Sequence, residues 1–404
     1  MTDDFSTILR DTGVSGFLRD YVEHTRDMEA PTSFHFFTGL TVLGAVLKRR
    51  VYFDQIKFKL FPCYQTLLAG PAGEAKKTTA ARYGVGLGLE AGELNTIMSS
   101  GSPERLWDRL HQISMEKGAA CGMLYAGEMA TLVNKRDYGS TMIEVLMVLF
   151  ECNDLEPPRE TFAHKSQPLK NVAVSALFCS NEDMLVHAMP PHAMKGGLPS
   201  RMLTIYEPDS GGRETPFLDE VPTPALPREK LVADLTRMRF VTGKVQIDPK
   251  ARKWYRAWYS KVKNTRKTIT DESMKPFFSR YPDHMVSVAI GLSVSEMEDT
   301  QAPVIIQEHH FLQADAVLEY MVARMPRLYR FLAMGPFGEA YAKVYSLVTG
   351  APGQEMSFSE LGRVMSNKLN RKQLQEVIDT MVQNGEVLHV RKEHDRHFVM
   401  AVRK

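Results

Sequence analysis

The chain has 404 residues, 44% of them hydrophobic and 24% charged, and its 50 Lys and Arg against 48 Asp and Glu leave a formal charge of +2. That length allows roughly two or three domains. The composition is globular, which excludes a disordered chain and a uniformly basic, histone-like binder. Cys63, Cys121, Cys152 and Cys179 are far apart and form no CxxC pair, which argues against a zinc site or a disulfide framework and suits a reducing compartment.

No window approaches eighteen uninterrupted apolar residues, so no membrane span is expected. The start, Met1-Thr-Asp-Asp-Phe-Ser, is acidic and polar, unlike a signal peptide. Both features predict a cytoplasmic protein with no membrane partner.

Residues 1–55 read as an N-terminal helical region, with Pro31-Thr32-Ser33 separating two amphipathic stretches, Phe17–Met28 and Phe34–Leu47. The second ends in Lys48-Arg49-Arg50, cations that favour a helix C-terminus.

From residue 56 to 215 the grammar changes. Apolar runs at Tyr64–Ala69, Ile97–Ser99, Gly122–Ala126 and Val172–Cys179 alternate with helical patterns. The helices begin near 78, at Pro103, at Met129 and at Glu182. Strands alternating with helices imply a mostly parallel sheet with crossover helices, an α/β fold. Ser102-Pro103 is a helix start, with serine as cap and proline in the first turn.

The strongest chemical signal follows the first of these strands. Gly70-Pro71-Ala72-Gly73-Glu74-Ala75-Lys76-Lys77-Thr78-Thr79 joins a strand to a helix, the setting of a phosphate-binding loop. There, backbone N–H groups and the helix N-terminus face the phosphates of ATP, a lysine reaches the terminal ones, and the next hydroxyl holds Mg²⁺. Ala75 stands where the common spacing has glycine. A loop one residue longer pairs Lys77 with phosphate and Thr78 with the metal, and this register is preferred.

A second acid-bearing strand tip belongs beside such a loop. Cys121–Ala126 runs into Gly127-Glu128, so Glu128 is the candidate to hold Mg²⁺ and orient water, although the expected Asp beside it is absent. Glu128 equally suits the start of a helix. At the next strand end, Asn181 is placed either to hydrogen-bond phosphate or to cap the following helix.

Around residues 207–228 the sequence turns to Pro, Gly and acids, Glu207-Pro208-Asp209-Ser210-Gly211-Gly212 and then Pro222, Pro224 and Pro227, which reads as a surface connection. Residues 216–335 form a helical region, with helical periodicity from 229 and no strand alternation. Lys250–Lys267 holds eight Lys or Arg and no acid, with Trp254/Trp258 and Tyr255/Tyr259 at helical spacing. This pattern reads as core aromatics under a phosphate-attracting face.

After Gly335-Pro336, residues 336–404 read as a winged helix: a helix at Ala340–Val348, a capping box at Ser357–Glu360, and a third helix from Asn370. Two strands follow, Glu386–Val390 and Arg396–Val402. Arg371, Lys372, Arg391 and Lys392 would lie on its exposed face, for DNA or for a protein partner.

Taken together, these pieces resemble AAA+ ATPases of the replicative-helicase type. The closer likeness is to a helicase-like family encoded by phages and mobile elements, related to minichromosome-maintenance helicases. The carriers are Phe17…Thr25, Gly70…Thr78, Ser102-Pro-Glu-Arg-Leu106, Glu128, Asn181, Gly196-Gly-Leu-Pro-Ser-Arg201 and Arg280.

The resemblance implies a P-loop ATPase core with a helical lid. It makes Asn181 a first sensor, Arg201 an arginine finger supplied to a neighbouring subunit, and Arg280 a second sensor at ATP, while both arginines equally suit ordinary surface ion pairs. It also makes the segment from Glu151 to Lys170 a DNA-gripping hairpin carrying Lys165 and Lys170, with a solvated loop as the alternative. The expected activity is ATP hydrolysis with Mg²⁺ by a hexameric ring, a helicase or translocase on single-stranded or forked DNA in replication, alongside other replication proteins. Two alternatives stand: a nucleotide-gated DNA-binding or helicase-loading factor with weak hydrolysis, and a winged-helix regulator with a vestigial nucleotide fold.

Overall fold

In a computed structural model, the N-terminal region forms three helices, α1 (Phe5–Asp11), α2 (Gly16–His24) and α3 (Thr32–Leu47). The structure describes residues 4–92, 94–97, 102–133, 139–155, 167–188, 197–209, 224, 226–269, 271, 273–333, 338–383, 386–392 and 396–402. The sequence suggests that α3 is amphipathic, but all sixteen of its residues are buried. One side lies on the central sheet and the other is covered by neighbouring helices. Thr41 bonds within the core to the Phe37 carbonyl at 2.6 Å and Ser33 to Glu207 at 2.5 Å, so a helix apolar nearly all round can be enclosed.

The end of the region read as helical, Val51–Asp54, is instead a strand, β1. It pairs antiparallel with β2 (Lys59–Leu60) and parallel with Gly243–Lys244. The basic run before it acts locally. Arg50 caps the Val46 carbonyl of its own helix at 2.5 Å, and Arg49 reaches the carbonyls of Cys152 and Val172.

The central layer follows in chain order as β3 (Gln65–Ala69), α4 (Lys77–Glu90), β4 (Thr96–Ile97), α5 (Pro103–Lys117) and β5 (Cys121–Ala126). It continues with α6 (Ala130–Val133), α7 (Gly139–Phe150), β6 (Ala173–Ser180), α8 (Glu182–Ala188), α9 (Leu198–Arg201) and β7 (Met202–Tyr206). All five strands are parallel, in the order β4-β5-β6-β3-β7. Helices α3 and α4 pack together over one face, while α5 and α7 cover the other, which explains why β3, β6 and β7 are buried along their whole length.

Strand order fixes where a ligand would lie. From β3 the chain crosses to the β4 edge, returns strand by strand to β6 beside β3, then steps over β3 to β7. Connections therefore leave β3 and β6 on opposite faces, and the crevice beyond their carboxyl ends is a topological switch point, the habitual ligand site of open α/β sheets.

The first compact unit, Met1–Tyr329, is completed by helices and short strands. These are α10 (Arg228–Met238), β8 (Gly243–Lys244), β9 (Gln246–Ile247), α11 (Pro249–Thr268), α12 (Lys275–Ser295), β10 (Ile305–Ile306) and α13 (Glu308–Ala333). The two-residue strands β8, β9 and β10 are absent from the sequence reading, because two residues carry no alternation.

The second unit, Arg330–Lys404, contains α14 (Gly338–Gly350), β11 (Glu355–Ser357), α15 (Phe358–Val364), α16 (Arg371–Gln383), β12 (Val387–Lys392) and β13 (Arg396–Ala401). Its strands form an antiparallel sheet in the order β11-β13-β12. Val344, Leu361, Leu374, Ile378, Met381 and Val399 are among the residues of its core. The Ser357–Glu360 capping box is formed, and Asn370 and Gln373 exchange side-chain bonds to each other's backbone N–H at 3.0 and 2.9 Å. The break at Gly335-Pro336 lies outside the described residues.

No helix among the described residues is long and apolar enough to cross a membrane.

Candidate functional site

Beyond Ala69 the chain turns sharply. Gly70 lies against β7, where a Cβ would come within 2.2 Å of the Glu207 carbonyl oxygen, so only glycine fits. Gly73 follows with φ +78°, and Lys76, at φ +50°, leads into α4 without any side-chain cap. Residues 72–74 form a hydrogen-bonded turn, and among the described residues the backbone N–H groups of Lys77 and Thr78, at the start of α4, make no backbone hydrogen bond. They are the donors at a helix start that a phosphate satisfies.

The two lysines part company. Lys77 is 8% exposed and folds back into the turn, its Nζ donating to the Gly70 carbonyl at 2.6 Å and the Pro71 carbonyl at 2.8 Å. Burial lowers its pKa, opposed by the nearby Cys179, Glu182 and Glu128. Lys76 turns outward to Glu29, with Nζ to Oε2 at 3.0 Å. Pro71, Ala72, Glu74 and Thr79 lie at the rim, and Ala75 is buried beneath it.

The neighbouring strand tips complete the crevice. Glu128 follows β5, held by a hydrogen bond from the Ser180 hydroxyl to its Oε1 and by the Ala130 N–H. The Met129 N–H donates to the Cys179 carbonyl at 2.8 Å, fixing the tip of β5 to β6. Thr78 faces Gly127, the residue before Glu128: a Cβ on that glycine would lie 3.8 Å from Thr78 Cγ2. Asn181 takes the capping role, its Oδ1 accepting from the Met184 N–H at 2.9 Å.

Two further acids stand at this end: Glu182, read from the sequence only as a helix start, and Glu207, read as part of a surface connection but buried in the structure. Glu182 accepts from the Tyr206 hydroxyl at 2.8 Å. Glu207 is buried, accepting from Ser33 at 2.5 Å and Tyr320 at 2.8 Å, and burial raises its pKa. An acid directly after the apolar run Met202–Tyr206 was the available signal for Glu207.

Arg201 and Arg280 stand elsewhere. The β3–β7 register pairs Gln65 with Met202 and Ala69 with Tyr206. Arg201 therefore lies at the amino end of the sheet, about 16 Å of strand away from the loop. Arg280, on α12, is beside Arg201 and not beside the loop. Both donate to Glu151 Oε1, at 2.9 and 2.8 Å, over a cleft of about 70 Å³ also lined by Phe150, Asp283 and His284. Burial and the Arg280 charge lower the Arg201 pKa against the pull of Glu151. Burial holds His284, bonded to the Ser200 carbonyl, at about 4, so it is neutral at pH 7.

For the expected DNA contacts, Leu155 and Leu169 form an antiparallel bridge at the base of the segment that holds Lys165. Lys165 lies outside the described residues, and Lys170 is exposed just after the bridge. Arg371 and Lys372 are exposed at the start of α16, and Arg391 and Lys392 lie on β12.

Two clusters have no counterpart in sequence spacing. Cys63, Cys121 and Cys152 pack together in one apolar cluster although distant in the chain. All four cysteines are free thiols, and burial pushes Cys121 up to about 11 and Cys179 to about 12, which keeps them protonated. Glu296, His309 and His310 also converge. His310 Nδ1 accepts from the Gln307 N–H at 2.9 Å, so its proton sits on Nε2 and is donated to Glu296. That arrangement is a hydrogen-bonded knot between α12 and α13, with the His310 lone pair already used.

Compared with protein-family models and with curated proteins, the chain gives no match to either.

Proposed function

We propose that the first unit is a P-loop ATPase core of the AAA+ type, that it works as a homo-oligomeric ring, a hexamer, and that ATP hydrolysis drives movement along single-stranded or forked DNA. The observation that carries this reading is the position of Lys77: buried, turned back over the loop, and resting on two carbonyls that a triphosphate would replace. The switch-point crevice, the open N–H groups of Lys77 and Thr78 at the start of α4 and the acid at the β5 tip support it.

Oxygen donors suit Mg²⁺, and Thr78 and Glu128 are the residues that would hold it. Bound Mg²⁺ supplies charge neutralisation between the phosphate oxygens. Lys77 supplies an ammonium to the terminal phosphate, and the Ser180 hydroxyl fixes the Glu128 carboxylate so that it can take a proton from water. Arg201 lies too far along the sheet to serve its own loop, which fits an arginine given to the next copy in a ring. The second unit, with its capped helices and β11-β13-β12 sheet, fits a winged helix that places Arg371, Lys372, Arg391 and Lys392 against DNA or a protein.

A second reading, a nucleotide-gated binding or loading factor with weak hydrolysis, is favoured by two features. Asn181 Oδ1 is committed to its helix cap, and Ala126-Gly127 leave Glu128 without a companion acid.

Calorimetric titration with MgATP and steady-state turnover, with and without single-stranded DNA, test both. The ATPase reading expects binding and DNA-stimulated turnover, both lost in Lys77→Ala. Binding without turnover selects the second reading, and no binding by the unchanged protein removes both.

A further inference from the structure

Helix α11 starts with Asp248 as its cap, whose carboxylate accepts from the N–H groups of Lys250 and Ala251, and with Pro249 in the first turn. No acid follows in the first turn, where Lys250, Arg252 and Lys253 oppose the helix dipole instead. Ala251, Trp258 and Val262 are buried on one side, and Trp254 and Tyr255 stack on Phe311. Trp254, Tyr255 and Trp258 of the aromatic stripe are thereby packed inward, while Tyr259 stays exposed.

On the opposite side, Arg252, Arg256, Lys263 and Lys267 recur at spacings of four, seven and four. They form one exposed stripe about 22 Å long at the helical rise. Like charges at i, i+4 repel within this stripe. Among the described residues, the only ion pair made by the eight cations of α11 is Lys261 to Glu319, at 3.9 Å and on the flank. Here one sign is concentrated where it destabilises the bare helix. Tyr259, 46% exposed, stands within one turn of Arg256 and Lys263 and offers a ring to a base.

We propose that the exposed stripe of α11 is a track for the phosphodiester backbone of single-stranded nucleic acid. This deepens the DNA part of the proposed function and does not depend on the nucleotide loop.

The test is fluorescence anisotropy of a labelled oligothymidylate with the full chain, without nucleotide, between about 50 and 200 mM salt. Each phosphate contact on a single strand contributes about 0.7 to the slope of log affinity against log salt. Changing Arg252, Arg256, Lys263 and Lys267 together to Ser is expected to remove about 3 from that slope and to weaken binding at least tenfold. The pairs Arg252→Ser/Arg256→Ser and Lys263→Ser/Lys267→Ser should each remove about half of that, which keeps the test readable if the fourfold change harms folding. Exchanging Arg and Lys at all four positions should preserve the slope.

An unchanged slope in a variant of normal helical content overturns the proposal. So does binding to phosphatidylserine vesicles that needs the stripe while oligothymidylate binding does not. MgATP affinity of the Ser variants should match that of the unchanged protein, so failure here is distinct from failure of the loop assignment.

Discussion

Arg201 and Arg280, distant in the chain, place their guanidinium groups on the same oxygen of Glu151, one at 2.9 Å and the other at 2.8 Å. Two like charges are tolerable at this distance because one carboxylate lies between them. The arrangement ties α12 to the end of α7 and to the turn into β7.

Glu151→Gln should therefore destabilise the first unit. The amide keeps an acceptor but leaves two half-buried cations without their counter-charge. A loss of about 1–3 kcal/mol is expected, in the range of hydrogen bonds to charged groups, and it should appear as a lowered thermal midpoint. Combining it with Arg201→Ala should cost less than the sum of the two changes, because the residual repulsion is gone. Additive losses would show that the three groups act independently.

The two lysines of the loop offer a sharper contrast. Lys77→Ala should abolish MgATP binding. Lys76→Ala removes only the surface pair with Glu29, worth at most about 1 kcal/mol, and should bind nearly as tightly as the unchanged protein. The reverse pattern would restore the shorter loop register. Calorimetry on the two single variants decides.

What the sequence made legible was local. The strand-to-helix turn across Gly70–Lys76, the Ser102 cap, the capping box at Ser357 and the alternation of strands with helices each depend on neighbours within a few residues, and all are formed. Features requiring distant segments were hidden. Helix α3 looked amphipathic because its polar residues, such as Thr41, gave no sign that the sheet and other helices would enclose it. Val51–Asp54 read as helix because its partners Leu60 and Lys244 lie elsewhere in the chain. Glu151 gave no hint of two arginines, nor did Cys63 of Cys121 and Cys152.

Glu128 and Ser180 form the next test. If Glu128 polarises water, Glu128→Gln should leave MgATP affinity intact and lower turnover by about 10²–10⁴-fold, the usual worth of a positioned general base. Ser180→Ala, which only frees the carboxylate to swing, should lower turnover less and leave affinity unchanged. Equal turnover in Glu128→Gln and the unchanged protein would return Glu128 to the role of a helix-starting acid.

The last prediction concerns pH and the packing of α11. Asp315 accepts the Trp258 indole N–H at 2.7 Å, yet burial, helped by the neighbouring Glu319, raises its carboxyl to about 6. The folded state thus holds this proton more tightly than the unfolded chain. Its contribution to stability is full below pH 4 and is lost as pH rises to about 6, leaving a constant penalty above that. Asp315→Asn keeps the acceptor for Trp258 and removes the titration. The variant should match the unchanged protein near pH 4, overtake it through pH 4–6, and stay ahead at pH 7 by about 1 kcal/mol, a figure discounted for solvent screening at a partly exposed group. Urea midpoints measured across that range provide the check, and two parallel pH curves would mean that Asp315 titrates normally.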